Sequence, residues 1–560
     1  MKPTPLGVPR SASEHRAAER KAARLRAQRQ AIRPYQEPEN SRIVPGSDEA
    51  MALPSEECLD AAVEILDSCR DELARYDRAL RGPGPRPQVS VYALMFGVLL
   101  VIAMRLDGMF ITDVVKVLRA LPKSWRKRLG LIRPNNKKLS DRQVRHRLDR
   151  LVWVIGELCP SFADMPAGQR IAAFANRLIQ LHLEGAGIAP QDVHHVAADS
   201  SSIETPAAVL VDESVIEGDK RYTKDPEAGP NFWPAKNGRH NGTRMGFDLH
   251  TTVLTSGAGI DGKPRPGVIA AFVLAYPNKG GREIPQLFDL MGKLGYEMET
   301  VRADRGISNL MDDKQGGNFH VRLAEQAIRL IHDLGPTHRK PAPDVRGVVW
   351  VDSSLCCPCA PAGLIELPAH SSSMTKAERL ELASRYDTRD QYHFEERQRA
   401  GVAGGGCRLE CPARAGKVRC PLVPESMVRG MDEVPTIPVP DDVATPDQIA
   451  RLARVDPEAA AKLKPAPDCC VQKTITLKPS VEPGRYQSIH YGTTRWVEAY
   501  GQRPKVEAGY AHLKTNFSSI RRGSYRYFGK AIPTIFIGLA LMWINHMILR
   551  SFDHRFNIKR

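Results

Sequence analysis

Hydrophobic positions recur at helical spacing through the first third of the chain and at strand spacing after it. Over 55–80 and 89–121 apolar residues return every three or four positions, which predicts helices. Ser140-Asp141-Arg142-Gln143 reads as a capping box, and Val144, Leu148, Leu151, Val152 and Ile155 form the buried stripe of the helix it opens. Arg142, Arg145 and Arg150 then fall off that stripe. With short helical pieces at 112–121 and 124–129 ahead of it, the unit suits a helix-turn-helix-like DNA reader, although a solvated basic helix in a bundle accounts for the same charges. Strand patterns follow at 193–198, 246–254, 267–275 and 299–303, with a helix at 284–294 before the last. Asp199 closes the first of these strands and Asp304 the last.

Beyond Arg305 the regular pattern breaks. A helix at 317–334, a strand at 347–351, the glycine run Ala403-Gly-Gly-Gly-Cys407 and a Pro- and Asp-rich stretch at 434–468 are too much for a loop, and predict a large inserted subdomain with disordered parts. The chain resumes with a helix around Glu507 and ends in an apolar helix at 531–549. The reading is an all-α N-terminal domain followed by an α/β core, a mixed sheet with flanking helices. Its segments are a basic, flexible arm (1–47), a helical DNA-binding domain (48–188), the first part of the core (189–310), a Cys-rich insertion (311–488) and the second part of the core (489–560).

Charge sharpens this picture. The 560 residues carry a formal charge of +16, but nine Lys/Arg against two acids lie in 1–33, thirteen against two in 116–150, and five against none in 514–530. Those segments total +23, so the rest of the chain is net negative, and the local cationic surface points to nucleic acid. The polar, charged start predicts a cytoplasmic, nucleoid-associated protein. The apolar stretch 89–104 is shorter than the ~20 residues of a spanning helix, and 531–549 contains Asn545 and His546, so both are expected as core helices with no membrane partner.

Eight of the eleven cysteines lie between Cys356 and Cys470. In a cytoplasmic setting these are thiols or metal ligands, not a disulfide framework. Cys356, Cys359, Cys411 and Cys420 are candidates for a structural Zn²⁺ site, with buried free thiols as the alternative.

The densest chemistry lies in Tyr500-Gly-Gln-Arg503-Pro-Lys-Val-Glu507-Ala-Gly-Tyr-Ala-His-Leu-Lys514. Offsets of 3, 4 and 7 place a carboxylate, two cations and a phenol on one helical face. Pro504 suits a first helical turn and not an interior, so the helix is expected to start inside the run, with Tyr500 and Arg503 on the segment leading into it and Glu507 one turn in. Asp199 and Asp304 can join Glu507 as a carboxylate triad. Such a triad suits two Mg²⁺ ions about 3.5–4 Å apart, able to activate water and stabilise the leaving oxygen of a phosphodiester. Downstream, Arg521, Arg522, Arg526 and Lys530 alternate with Phe517, Tyr525, Tyr527 and Phe528, a pattern that contacts phosphates while stacking on bases, or a basic surface loop. Trp496 reads as a packed side chain.

These residues resemble a family. Tyr500, Arg503, Glu507 and Lys514 match the Y-(2)-R-(3)-E-(6)-K signature of DDE transposases of bacterial insertion sequences. Val196-Ala-Ala-Asp199-Ser-Ser and Val301-Arg-Ala-Asp304-Arg-Gly-Ile-Ser look like the two aspartate motifs, and Phe536-Ile-Gly-Leu-Ala-Leu-Met-Trp-Ile-Asn545 like the last core helix. The resemblance covers about 192–309 and 491–550. It implies an RNase H-like catalytic core and a transposase that cuts double-stranded DNA at element ends and joins the freed 3′-hydroxyl to target DNA. It further implies Asp199, Asp304 and Glu507 as ligands of two Mg²⁺ ions, with Mn²⁺ as a substitute. Tyr500, Arg503 and Lys514 would be phosphate contacts, and the working form a homodimer or higher assembly in a synaptic complex. A non-catalytic DNA-binding regulator derived from a transposase and a stand-alone nuclease with the same core are the alternatives.

Overall fold

A computed structural model describes residues 54–81, 89–104, 110–131, 139–205, 225, 227–232, 243–255, 266–277, 280–305, 311–312, 317–344, 346–369, 373–399, 406–428, 434–481, 484–516, 518, 520, 527 and 529–556. The basic arm, the glycine run at 403–405 and Arg521, Arg522 and Arg526 lie outside the described residues.

The protein is mixed α/β, built on a six-stranded mixed sheet. Its strands are β1 (His195–Glu204), β2 (Gly229–Phe232), β3 (Thr243–Leu254), β4 (Ile269–Ala275), β5 (Thr300–Ala303) and β6 (Arg329–His332). β3 pairs antiparallel with β1 along one edge, and with β2 and then β4 along the other. On the far side of β1, β5 and then β6 join in parallel. Two sequence expectations change here. β1 does not stop at Asp199, because its ladder with β3 continues through Asp199↔Thr251 to Glu204↔Gly246 and carries the polar Ser200-Ser-Ser run as strand. The expected helix at 317–334 ends early: α9 (Phe319–Glu325) stops before Ala327, whose φ of +58° breaks the helix, and the next residues form β6. Residues up to His332 therefore belong with the sheet.

Helices cover both ends of this sheet. α1 (Glu56–Asp67), α2 (Arg70–Ala79), α3 (Val91–Ala103), α4 (Ile111–Ala120), α5 (Lys123–Arg128), α6 (Asp141–Glu157) and α7 (Ala167–Gly185) precede it, and α8 (Gly280–Lys293) crosses from β4 to β5. The Ser140–Gln143 capping box opens α6 with both reciprocal bonds in place, and Val144, Leu148, Leu151 and Ile155 are buried, while Val152 is only half-buried. Buried residues of these helices and of the sheet form one continuous cluster, so no boundary divides the apolar interior at 188.

The final helix is longer than its apolar run: it spans Ala531–Phe556, and is taken here as a core helix because most of its apolar stretch is buried. Its length and composition alone would let it cross a membrane. Asn545 shows what a polar residue does in its middle. Its Oδ1 accepts from the Ile269 N–H and its Nδ2 donates to the Ile269 carbonyl, both at 2.8 Å. Asn176 on α7 does the same for Phe272, also at 2.8 Å on both sides. Among the described strands β4 pairs with β3 alone, and on its other side the two buried amides satisfy the backbone groups of Ile269 and Phe272 as a neighbouring strand would.

Between His332 and Thr493 the chain builds a second, smaller interior. Short strands form two three-stranded sheets: β7 (Ala342–Pro343), β8 (Val349–Val351) and β9 (Ser354–Cys356) make one, and β10 (Glu395–Gln398), β11 (Cys407–Glu410) and β12 (Thr474–Leu477) the other. Trp350, Phe394, Leu409 and Val418 are among their buried residues. α10 (Lys376–Asp390), opened by a Thr375–Glu378 capping box, is tied to the β8–β9 turn by a buried Arg389–Asp352 ion pair of 2.5 Å.

Candidate active site

Strand register brings the aspartates together. The last registered pair of β1 and β5 is Ala197↔Arg302, so Asp199 and Asp304 stand at matched positions two residues further on. Between β5 and β6 the last pair is Ala303↔His332, and the next position in both strands is an acid, Asp304 and Asp333. Three adjacent parallel strands thus carry aspartate at one level of the rim. Asp333 is hidden from the sequence reading because Gly317 to Leu334 reads as one helix; an acid directly after the short strand Arg329–His332, as Asp304 follows Thr300–Ala303, is the matching feature.

Glu507 reaches this rim from a helix. α11 (Thr494–Tyr500) ends at Tyr500, Gly501 to Arg503 turn, and α12 (Pro504–Ala511) begins with Pro504 in its first turn and Arg503 as its N-cap. The run is therefore two helices and not one face, because Pro504 supplies no N–H to a helix passing through it. Glu507 still falls in the first turn of α12, as expected. Val506, Gly509 and Tyr510 seat the helix on β1 and β3. The Tyr510 hydroxyl donates to the Asp199 carbonyl at 2.6 Å and accepts from Thr251 Oγ1 at 2.8 Å, locking α12 to the residue it must face. Tyr510 lies within the signature run, yet its role depends on a strand pairing that spacing does not reveal.

Arg503 joins the acids. One guanidinium nitrogen meets Asp199 Oδ2 and another meets Glu507 Oε1, each at 2.8 Å. Burial pushes the Asp199 carboxyl above the usual carboxylate range; Asp304 and Glu507 push the same way, and Arg503 and the Ser200 N–H only partly offset them. For Arg503, burial works against the charge, and Asp199, Tyr500, Glu507 and Asp304 outweigh it, so its pKa rises. The Tyr500 phenol is pushed up to about 12, first by burial and then by Asp333, Asp304 and Asp199, against the pull of Arg503. It is stacked on Trp496 at 4.6 Å and 13°, and Trp496 is buried, as expected of a packed side chain. Arg302 on β5 holds this helix in place by donating to the Ala499 carbonyl at 2.7 Å.

Lys514 lies in a π-helical turn, His512–Asn516, that follows α12. It donates to Ser201 Oγ at 2.7 Å, and Ser201 is on the same face of β1 as Asp199. Burial lowers its pKa. All four signature residues thus gather around the middle of β1, at Asp199 and Ser201, with Asp304 and Asp333 on the neighbouring strands' ends. Arg142 and Arg145 stand exposed on α6, a separate element from those that carry the acids. Lys530 is paired with Glu283 at 3.0 Å.

The donor set suits a hard divalent cation: carboxylate oxygens of Asp199, Asp304 and Glu507, carried by strands and a helix, with the Arg503 guanidinium paired to Asp199 and Glu507. Among the described residues no three His, Cys, Asp or Glu side chains yet surround one point at ligand distance. The Arg503 guanidinium donates to both Asp199 and Glu507.

Neither a protein-family model nor a curated protein matches this chain.

Proposed function

We propose that this protein is a DDE transposase with an RNase H-like core, cutting double-stranded DNA at the ends of an insertion sequence and joining them to target DNA. The observation that carries the reading is the meeting of Asp199, Asp304 and Glu507, residues from three remote segments, with Arg503 tied to two of them. The strand order supports it: an antiparallel meander of β1, β3 and β4, with β5 and β6 added in parallel beyond β1, is the layout an RNase H-like core requires.

In this reading Asp199, Asp304 and Glu507 hold two Mg²⁺ ions, or Mn²⁺ in their place, which when bound supply an activated water and charge stabilisation at the leaving oxygen. Tyr510 keeps the Asp199 backbone fixed against α12 while the carboxylate changes partners. Arg503 neutralises Asp199 and Glu507 in the state described, and its fork fits a DNA phosphate equally well when it is released from them. Lys514 offers a second cation along the same face of β1. Tyr500, anchored through the Trp496 stack, presents its hydroxyl to the same rim. Element ends and target DNA are the partners, brought together by a homodimer or larger assembly in the cytoplasm.

The test is Mg²⁺-dependent nicking of DNA carrying the inverted repeats that bracket the reading frame. Asp199→Asn, Asp304→Asn and Glu507→Gln are each expected to abolish nicking and keep DNA binding. Full cleavage by any one of them sinks the assignment.

A further inference from the structure

One buried amide joins the second interior to the acidic rim. Gln487 lies on the segment that returns from that interior to the signature helices, and only 1% of it is exposed. Its Oε1 accepts from the His332 N–H at 3.1 Å, and its Nε2 donates to the His332 carbonyl at 3.0 Å. His332 ends β6 and precedes Asp333. Gln487 therefore does beyond β6 what Asn545 and Asn176 do beside β4, satisfying a strand's backbone with a side chain. A third bond takes the amide further. Trp496 Nε1 donates to the same Oε1 at 3.3 Å, and Trp496 is the ring on which Tyr500 stacks. These partners settle which way the amide faces, since two N–H donors need its oxygen and a carbonyl needs its NH₂.

The amide is itself held in place. Its backbone N–H donates to the Ser353 carbonyl at 2.9 Å, and Ser353 Oγ accepts from the Tyr491 N–H at 2.7 Å. Arg485 Nε donates to the Asp352 carbonyl at 3.0 Å, so the β8–β9 turn sets the course of 485–491. α10 then fixes the start of α11. The Asp387 carboxylate accepts from the Thr494 N–H at 2.8 Å and from its hydroxyl at 2.6 Å, and Gly492 lies so close to the Tyr386 ring that a Cβ there would come within 2.5 Å of it. α11 has only seven residues, and tertiary bonds decide the orientation of so short a helix. They act at its start through Asp387, along its length through Gln487 and at its end through Arg302. The second interior brings no metal-ligating group of its own: Cys356, Cys411 and Cys420 are buried free thiols, Cys359 is half-buried, and no three His, Cys, Asp or Glu side chains among the described residues are grouped to hold Zn²⁺.

We propose that Gln487 is a positioning residue for strand cleavage: by joining the end of β6 to the Trp496 indole, it sets where the Tyr500 hydroxyl meets the DNA end. The inference rests on the transposase reading and gives the second interior a part in the chemistry. Gln487 touches no reacting atom; it acts through Trp496 and Tyr500. A displacement of about 1 Å at such a group is enough to cost on the order of a hundredfold in rate.

Nicking of element-end DNA in Mg²⁺ is measured for the native full chain and for Gln487→Met, which keeps the side-chain length and loses all three bonds. The rate is expected to fall about tenfold or more, with DNA binding within about twofold of native. Tyr500→Phe should lose a similar amount, and the double variant no more than the larger single loss, because both changes act through one hydroxyl. Losses that multiply would make Gln487 a structural residue alone and overturn the proposal. Should Gln487→Met fail to fold, Trp496→Phe takes its place, since it keeps a ring beneath Tyr500 and removes the indole N–H; the same lack of additivity with Tyr500→Phe is expected. A native chain that nicks, beside a Gln487→Met or Trp496→Phe chain that nicks at the native rate, overturns this inference alone. A native chain that nicks nothing overturns the transposase reading, and this role with it.

Discussion

The acidic rim and the thiols of the second interior both gather residues from distant parts of the chain, but by different physics. The rim copies one position across neighbouring strands: Asp199, Asp304 and Asp333 are level because β1, β5 and β6 are in register, and the shared apolar core holds that register. Cys357, Cys359, Cys411 and Cys420 come from segments between strands of two to four residues, over a smaller interior. A position copied by register is fixed by backbone pairing with its neighbours, whereas a turn places its residue by its own local hydrogen bonds. A row of aromatic rings, Tyr386, Tyr491, Trp496 and Tyr500, runs from α10 to the rim with spacings of 6.1, 4.6 and 4.6 Å.

The strongest way to break this comparison is to remove a rim acid. Asp304→Asn changes no strand, so folding should persist, while cleavage falls by about a thousandfold or more, the several kcal/mol that metal-assisted charge stabilisation supplies. A rate assay beside a thermal melt separates the two. Retained cleavage would show that the rim is architecture only. The next largest effect attacks the register itself. Asn545→Ala leaves the N–H and C=O of Ile269 unpaired in a buried setting, and at about 1–3 kcal/mol per orphaned group the loss should approach 2–4 kcal/mol. Urea denaturation should show a lower midpoint at unchanged slope. A loss below ~0.5 kcal/mol would mean that β4 needs no substitute for its missing neighbour.

How much of this was legible in the sequence follows from the same contrast. Asp199, Asp304 and Glu507 could be singled out because strand-end acids and a Pro-started helix leave local marks, and the Ser140 capping box did the same for α6. Features made by pairing left none. Asn545 and Asn176 are ordinary amides until β4 lies beside them, and Asp333 was lost with a strand that Ala327 separates from the helix before it. The helix face proposed for Tyr500 through Lys514 was a spacing argument, and the turn at Gly501 to Arg503 divides it.

A smaller effect tests how tightly register and helix are joined. Tyr510→Phe deletes the hydroxyl that bridges Asp199 and Thr251, leaving both partners buried. Stability should fall by about 1–2 kcal/mol, and cleavage by roughly tenfold beyond that, since Glu507 loses its fixed distance from Asp199. Equal losses in both measurements would reduce Tyr510 to a core residue. Arg503→Ala should weaken binding to DNA ends and lower the salt slope by about one phosphate contact. An unchanged slope would confine Arg503 to its two carboxylates.

The smallest and sharpest test concerns what the rim costs the fold. The Asp199 pKa is raised in the folded chain, by burial first and by Asp304 and Glu507 after it. A carboxyl with a raised folded pKa favours the native state while protonated, and that contribution is lost as pH rises through the folded value. At neutral pH and without divalent metal, Asp199 is therefore a destabilising charge that Arg503 only partly offsets. Asp199→Asn should melt higher than the native chain at neutral pH, and the gap should close as pH falls through the carboxylate range. Added Mg²⁺ should stabilise the native chain and leave the variant unmoved, reversing or erasing the difference. A register-built site thus carries a cost without its metal, because the surrounding sheet holds the like charges together.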